Sequence, residues 1–479
     1  LKILYLSPEI APFAKTGGLA DVARALPPAI SELGHDIRSV MPRYYNMDAG
    51  AAPMERALKF TVGMHNGLRA AILWKTESGG VPVYFIANEE FFFRDGFYGI
   101  GDWDYPDNLE RFVFFCKAAL GACRGLGFLP DVIHCNDWQT AALPAILKLI
   151  HGMYRQDPFF DPLPKVVYSI HNLSYQGRFA EGQWPVLSIP RSYYTYDFEF
   201  WGQINLSKSA IHFADAVTTV SETYAREIRE TEFGYGLQGS LENRKADLYG
   251  ILNGVDYDEW RPEADPHTYG IHYSADDLSG KREIKSRLRA EYGLPDKDDV
   301  PLIGVVARFV EQKGVDLLAD CAEHILRLGA QLILLGSGDP QYQDRFEALH
   351  RDHPNQMAIY IGFNNALAHK IEAGADIFLM PSHFEPCGLN QIYSLRYGTL
   401  PVVRLTGGLA DTIRDGENGF TFSAYSVFPF YEAVRRAAET FRNRPDEWRR
   451  MMQIAMAEDF SWRKSAEKYI EVYRSITER

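Results

Sequence analysis

Short runs of β-branched and other apolar residues recur along the chain. Each ends in a polar or glycine-bearing turn, and a stretch with helical spacing follows. In the first half the runs cover 3–7, 37–41, 70–74, 81–86, 132–135, 166–170 and 216–220; in the second they cover 302–307, 331–335, 358–361, 377–380 and 402–405. Strands separated by helix-length segments predict βαβ units, and so an α/β protein whose parallel sheets are covered on both faces. Between Val220 and Leu302 the rhythm breaks, with charged helical sequence, then Ile251-Leu-Asn-Gly-Val-Asp256, then a polar stretch, so a domain boundary is expected near 245–255. At the far end Trp462, Ala466, Tyr469, Tyr473 and Ile476 form one apolar stripe on a helix that Ser461 is placed to cap. Both sheets already have their helices, so this stripe is expected to pack back over the first domain. The expected division is 1–248, 249–456 and a closing helix in 457–479.

Length supports two domains, since 479 residues exceed one comfortable core. The hydrophobic fraction of 46% and charged fraction of 24% are those of ordinary globular proteins. A net charge of −13 argues against nucleic acid or an anionic membrane as partner, because both reward positive charge. A pocket for a small anion needs only a few local cations and stays open to the chain. The five cysteines are scattered without CxxC pairing, which fits a reducing compartment and offers no zinc spacing. No stretch reaches the roughly 18 continuous apolar residues of a membrane span, and the first residues read as a strand rather than a leader. A soluble, cytoplasmic protein is expected.

The candidate chemistry begins with one internal repeat. Thr-Gly-Gly-Leu-Ala-Asp occurs at 16–21 and again at 406–411, each time where a strand's carboxyl end turns into a helix. Free N–H groups and the helix dipole favour an anion there, and glycine admits a close ligand. Lys15 adds a positive charge ahead of the first copy. The plainer alternative is that Gly-Gly merely permits a tight turn, which a second identical copy makes less attractive. Neither copy fits GxGxxG or the Walker pattern.

Arg308 and Lys313 stand just past the 302–307 run. Fixed cations there would stabilise a diphosphate leaving group more in the transition state than in the ground state; solvated loop charges are the other reading. In 381–393, Pro-Ser-His-Phe-Glu-Pro-Cys-Gly-Leu-Asn-Gln-Ile-Tyr, Glu385 is an acid in a loop expected to bind anions. It suits sugar hydroxyls or a developing positive charge, or else it caps the helix. His171 and Asn172 follow another run, whereas His134 alternates with Cys135 and is expected to be buried. Asp137 fits either an acceptor hydroxyl or a helix cap. Aromatics crowd 184–201, and their planes suit the C–H faces of sugars, although an aromatic stripe is more commonly core.

Lys15-Thr-Gly-Gly-Leu, His171-Asn-Leu-Ser-Tyr-Gln-Gly, Asn253-Gly-Val-Asp, Arg308-x4-Lys313-Gly, Glu385-Pro-Cys-Gly-Leu and Thr406-Gly-Gly-Leu-Ala-Asp occur in one order. In that order, over nearly the whole chain, the sequence resembles the bacterial glycogen synthases and plant starch synthases. The resemblance implies a GT-B fold, two Rossmann-like doubly wound domains facing a deep cleft. It implies retaining transfer of glucose from ADP-glucose to the non-reducing end of an α-1,4-glucan such as glycogen, with no metal and no further cofactor. It assigns Arg308 and Lys313 to the donor diphosphate, with Lys15, Gly17 and Gly18 closing over it, and Thr406, Gly407 and Gly408 to the distal phosphate. Glu385, Cys387, Gly388, Leu389, His171 and Asn172 would hold the glucose, Asp137 would serve the acceptor or glucose side, and Phe363 would stack on the base. Tyr393 stands where many retaining GT-B enzymes carry a second glutamate, so no ribose contact is assigned to it. Gln139 and Asn390 stand where bacterial relatives often have His and Thr. A relative using UDP-glucose or a smaller acceptor, and a non-catalytic glucan-binding protein, are the alternatives. Oligomeric state and regulation are not legible in the sequence.

Overall fold

The computed structural model describes residues 1–47, 53–101, 103–150 and 158–479. They group into two compact units. Unit 1 contains Leu1–Val220, Ala225–Gly254 and Trp462–Arg479; unit 2 contains Ser221–Tyr224 and Val255–Ser461.

Shorter strands aside, unit 1 is built on a sheet of nine strands: β1 (Lys2–Leu6), β2 (Asp36–Pro42), β3 (Glu55–Met64), β4 (Gly67–Ser78), β5 (Val81–Ala87), β6 (Val132–Asn136), β7 (Lys165–Ile170), β8 (Ala216–Thr219) and β9 (Leu248–Gly250). Their order across the sheet is β9-β8-β7-β6-β1-β2-β5-β4-β3. Seven of these strands, β1, β2 and β5–β9, run parallel, as their continuous apolar runs require. The all-parallel expectation fails at one edge. There β4 pairs antiparallel with β5 and β3 antiparallel with β4, so the run at 70–74 is the middle of a long hairpin strand. The sequence reading missed β3 because this edge strand alternates weakly and carries Glu55, Arg56 and Lys59, charges that guard an open edge. Its apolar side chains are accommodated by small residues on the helix Asn108–Gly125: a Cβ on Gly121 or Gly125 would collide with Phe60 or Leu58.

The closing helix, Trp462–Thr477, buries Ala466, Tyr469, Tyr473 and Ile476 within unit 1. His134 is fully buried beneath it, with Nδ1 2.6 Å from the Tyr473 hydroxyl and Nε2 2.6 Å from Ser169 Oγ. Burial drives its pKa down to about 3, so it is a neutral strut joining helix and sheet. Of the aromatics between 184 and 201, Trp184, Phe198 and Phe200 are core, while Tyr193, Tyr196 and Trp201 face solvent.

Unit 2 has six strands, all parallel: β10 (Leu302–Phe309), β11 (Gln331–Gly338), β12 (Met357–Ile361), β13 (Ile377–Met380), β14 (Leu400–Arg404) and β15 (Phe420–Phe422). The order is β12-β11-β10-β13-β14-β15. Chain direction across the sheet reverses between β10 and β13 in unit 2, and between β1 and β6 in unit 1. In such sheets ligands bind outside the carboxyl ends of the strands at this switch point. Among the described residues no helix is long and apolar enough to cross a membrane.

Candidate active site

In unit 2 the loops leaving β10, β13 and β14 are fitted to one another through main-chain contacts. Gly314, left-handed at φ +69°, ends the turn after β10; a Cβ there would lie 2.0 Å from the Pro381 carbonyl oxygen. The His383 N–H donates to the Gln312 carbonyl across the same gap at 2.9 Å. Gly407, at φ +44°, and Gly408 press equally closely on the loop after β13, with 2.0 Å from a built Cβ to Glu385 O and 1.9 Å to Cys387 O. The Gly408 N–H is engaged by the carbonyls of Glu385 and Pro386, both at 3.1 Å, and Leu409 N–H donates to Thr406 O. The second copy of the hexapeptide thus owes its glycines to packing against the Glu385 loop.

Side chains complete this arrangement. Lys313 Nζ lies 2.6 Å from Glu385 Oε2, and the Ser382 hydroxyl donates to the same oxygen at 3.2 Å. Glu385 is nearly buried, so a cation and a hydroxyl hold its charge in one place. It is not a helix cap: Leu389 precedes the helix Asn390–Arg396, and Glu385 faces Lys313 instead. Arg308, the penultimate residue of β10 rather than a residue beyond it, is exposed. Cys387 is buried and Gly388 is left-handed at φ +73°. Asn390 Nδ2 donates to Val306 O at 2.8 Å, a structural tie to β10. Tyr393 stacks on Trp260 with ring centroids 3.9 Å apart. Phe363, just past β12, is 89% exposed, a high value for a phenylalanine at a strand's carboxyl end.

In unit 1 the candidate residues lie at the carboxyl ends of β1, β6 and β7. Lys15 is exposed and pairs with Asp21 at 2.8 Å, closing the first hexapeptide on itself. Gly17 and Gly18 differ from their counterparts, since a Cβ at either would meet nothing within 4 Å. Glu9, which the sequence reading missed, organises this loop: it accepts hydrogen bonds from the Thr16 N–H and hydroxyl and from the Tyr98 hydroxyl. An acid just after the first apolar run was the available signal.

Asp137 is not a helix cap. Its carboxylate accepts the His171 N–H at 2.8 Å, joining the ends of β6 and β7, and its own backbone is left-handed at φ +55°. Asn136, also unassigned from sequence, sets the His171 tautomer. Its Nδ2 donates to Leu6 O at 2.7 Å, which turns Oδ1 toward His171 Nε2 at 2.9 Å. Nε2 therefore carries the proton and Nδ1 is the acceptor. Burial pushes the His171 pKa down to about 4, so the ring is neutral at physiological pH and can take a hydroxyl hydrogen bond without adding charge. Asn172 spends its carbonyl on the Ser174 N–H and hydroxyl.

Burial raises the Asp137 carboxyl to about 7, with the Glu9 charge adding to the rise and the His171 and Asn172 N–H groups opposing it. Because the folded-state value lies above the unfolded one, folding binds an extra proton between the ordinary aspartate range and pH 7. This contribution to stability is present below that window and is lost as pH rises through 7. The ionised form is the one that holds a sugar hydroxyl in place by accepting its hydrogen bond, so kcat/KM is expected to fall as pH drops below about 7. A pH–rate profile that keeps the same limb in Asp137→Asn would show that another group is responsible.

Among the described residues no three His, Cys, Asp or Glu side chains gather as a metal-holding group. Two switch-point rims, one carrying a held carboxylate beside cations and the other a neutral histidine beside a carboxylate, define with the fold a glycosyltransferase of the GT-B class. Residues 2–243 match the model of the starch synthase catalytic domain, and residues 286–451 that of glycosyl transferases group 1. The chain belongs to the glycogen synthase and starch synthase family. It is 44% identical to a glycogen synthase of Syntrophotalea carbinolica over 100% of this chain and 99% of that one. It is 45% identical to a glycogen synthase of Anaeromyxobacter dehalogenans over 99% of this chain and 100% of that one. The catalytic domain of starch synthase IV from Arabidopsis thaliana, solved with ADP and acarbose, superimposes with a TM-score of 0.88 at 34% identity, covering 100% of both chains. A sucrose-phosphate synthase from Thermosynechococcus elongatus, at TM-score 0.59 and 16% identity over 99% of this chain and 98% of that one, shares the fold.

Proposed function

We propose that the chain transfers glucose from ADP-glucose to the non-reducing end of an α-1,4-glucan, with retention and with release of ADP. The observation that carries this reading is the Lys313–Glu385 pair, 2.6 Å apart at the switch point of unit 2, with Arg308 exposed on the neighbouring strand end. A nucleoside diphosphate needs cations and an oxocarbenium-like glucose needs a nearby carboxylate; this rim provides both. Arg308 and Lys313 take the diphosphate, the Thr406–Gly407–Gly408 turn takes the distal phosphate, and Phe363 offers its face to the base. Glu385, Cys387, Gly388 and Leu389 hold the glucose. From unit 1, Lys15 and the Gly17–Gly18 turn serve the phosphates, His171 and Asn172 serve glucose hydroxyls, and Asp137 serves the acceptor or glucose side. No metal or further cofactor is assigned a role.

Retention follows from attack on the face the diphosphate leaves. The bond from the anomeric carbon to the phosphate oxygen breaks, the acceptor 4-hydroxyl oxygen bonds to that carbon, and its proton passes to the departing phosphate. A double displacement would need a free carboxylate nucleophile. Asp137 is a poor choice, since its oxygens are committed to main-chain N–H groups. Competition between ADP-glucose and UDP-glucose with glycogen as acceptor tests the reading. Preferential incorporation from ADP-glucose is expected, and incorporation from neither donor would refute it.

A further inference from the structure

On unit 1, two bulky aromatics stand in backbone conformations that sterics reserve for glycine or asparagine. Trp201, at φ +50°, and Gly202, at φ +77°, form the two-residue turn between the short strands Glu199–Phe200 and Gln203–Asn205. Two left-handed residues in such a hairpin call for Asn-Gly or Gly-Gly, and tryptophan is a costly choice there. Tyr235, at φ +47°, and Gly236, at φ +86°, repeat the arrangement. The two turns touch: a Cβ on Gly236 would lie 2.9 Å from the Trp201 ring and 2.7 Å from that of Phe200. Phe200 is buried and lies against Trp201, the rings tilted by 37° with centroids 4.4 Å apart, while Trp201 itself is 77% exposed. The indole is not where it is in order to fill the core. Strain that folding does not require points to a ligand.

The same patch is continuous with the candidate sugar site through one segment of chain. Gln176, buried, donates through Nε2 to Tyr235 O at 3.1 Å and accepts from Asn205 Nδ2 at 2.7 Å. Next to it Tyr175, 64% exposed, turns back to donate its N–H to Asn172 O, one residue from His171. Three aromatic rings thus stand on a braced base that begins at His171. Flat rings with polar edges suit the C–H faces of pyranoses. Glu199, Glu230 and Glu232 nearby in sequence disfavour nucleic acid and anionic lipid.

We propose that Trp201, Tyr235 and Tyr175 form an acceptor platform that takes glucose units of an α-1,4-glucan behind its reacting end. The proposal rests on the glucan-synthase reading and names the part of unit 1 that selects long acceptors over short ones. The test is Trp201→Asn, a residue the turn prefers, with Trp201→Phe beside it. For Trp201→Asn, the half-saturating concentration of glycogen is expected to rise about three- to tenfold, and that of maltose much less. The melting temperature should hold or increase, because the left-handed strain is relieved. Trp201→Phe should recover most of the glycogen affinity.

Unchanged glycogen saturation in Trp201→Asn would overturn the platform, as would a loss that Trp201→Phe fails to recover. So would an unchanged glucan response accompanied by loss of a concentration-dependent dimer, which would assign the patch to a second copy. Retention of the unmutated protein in glycogen-containing gels separates this proposal from the function it rests on. Retention that falls in Trp201→Asn without any glucose transfer would support the platform and sink the proposed reaction.

Discussion

Lys313→Ala is expected to lower kcat about 10²- to 10³-fold, or about 3–4 kcal/mol of transition-state stabilisation, with a smaller change in the KM for the donor. The ammonium is the nearest cation to Glu385, at 2.6 Å, and it sits on the turn that follows β10. A charge placed to meet the diphosphate as it departs does most of its work in the transition state. Its loss therefore appears in turnover more than in binding. Removing it also strips a nearly buried carboxylate of its cation, leaving only the Ser382 hydroxyl at 3.2 Å. The two consequences are separable. Glu385→Gln added to Lys313→Ala should restore melting temperature without restoring kcat, and the pair should be strongly non-additive in activity. Lys313→Arg is not expected to rescue fully, since a planar fork replaces a compact point charge. Unchanged kcat in Lys313→Ala, measured by steady-state ADP release, would remove the lysine from the mechanism.

The two hexapeptides should answer differently to the same substitution. Gly407→Ala or Gly408→Ala would put a methyl about 2 Å from the Glu385 or Cys387 carbonyl oxygen. Main-chain atoms cannot swing aside as a side-chain tip does, so the Glu385 loop must move. A loss of about 2–3 kcal/mol is expected, roughly 5–10 °C in melting temperature for a unit of this size. Activity should fall by about 10²-fold as the carboxylate is displaced by a fraction of an ångström to an ångström. Gly17→Ala and Gly18→Ala meet open space, and Gly18 opens the helix Gly18–Glu32, where alanine is the better former. The melting temperature of Gly18→Ala should hold or increase, and that of Gly17→Ala, at the helix N-cap, should fall only slightly. A large loss of activity therefore reports the close approach of a ligand. Equal destabilisation by the two sets, followed by calorimetry, would contradict this account.

Much of the fold was legible because parallel strands buried on both faces need continuous apolar runs, which stand out in a sequence. The runs at 302–307 and 377–380 lie inside β10 and β13, and the stripe from Ala466 to Ile476 is buried as its spacing requires. What escaped was the edge. A strand such as β3, half solvated and charged, has a pattern that a loop can share. The candidate residues were legible one by one, since they lie at or just past the carboxyl ends of strands, but not as pairs. Nothing in the spacing of Lys313 and Glu385, 72 positions apart, says that they touch. The two hexapeptides were assigned unequal roles, but only the backbone shows that one copy is wedged against a neighbouring loop while the other is open. Glu9 and Asn136 were missed for a related reason, because their importance lies in which neighbour each one orients.

The strut between His134 and Tyr473 bears on how the protein is made. Unit 1 owns both the beginning of the chain and the helix Trp462–Thr477, whereas most of unit 2, Val255–Ser461, is continuous and lies between them. During synthesis the ribosome releases nearly all of unit 2 before the segment bearing Tyr473 emerges. The unit whose first segments are translated ahead of Val255–Ser461 is therefore completed after it. Until then the part of β6 and β7 around His134 and Ser169 lacks its helical cover, an exposure that favours misassociation of the nascent chain.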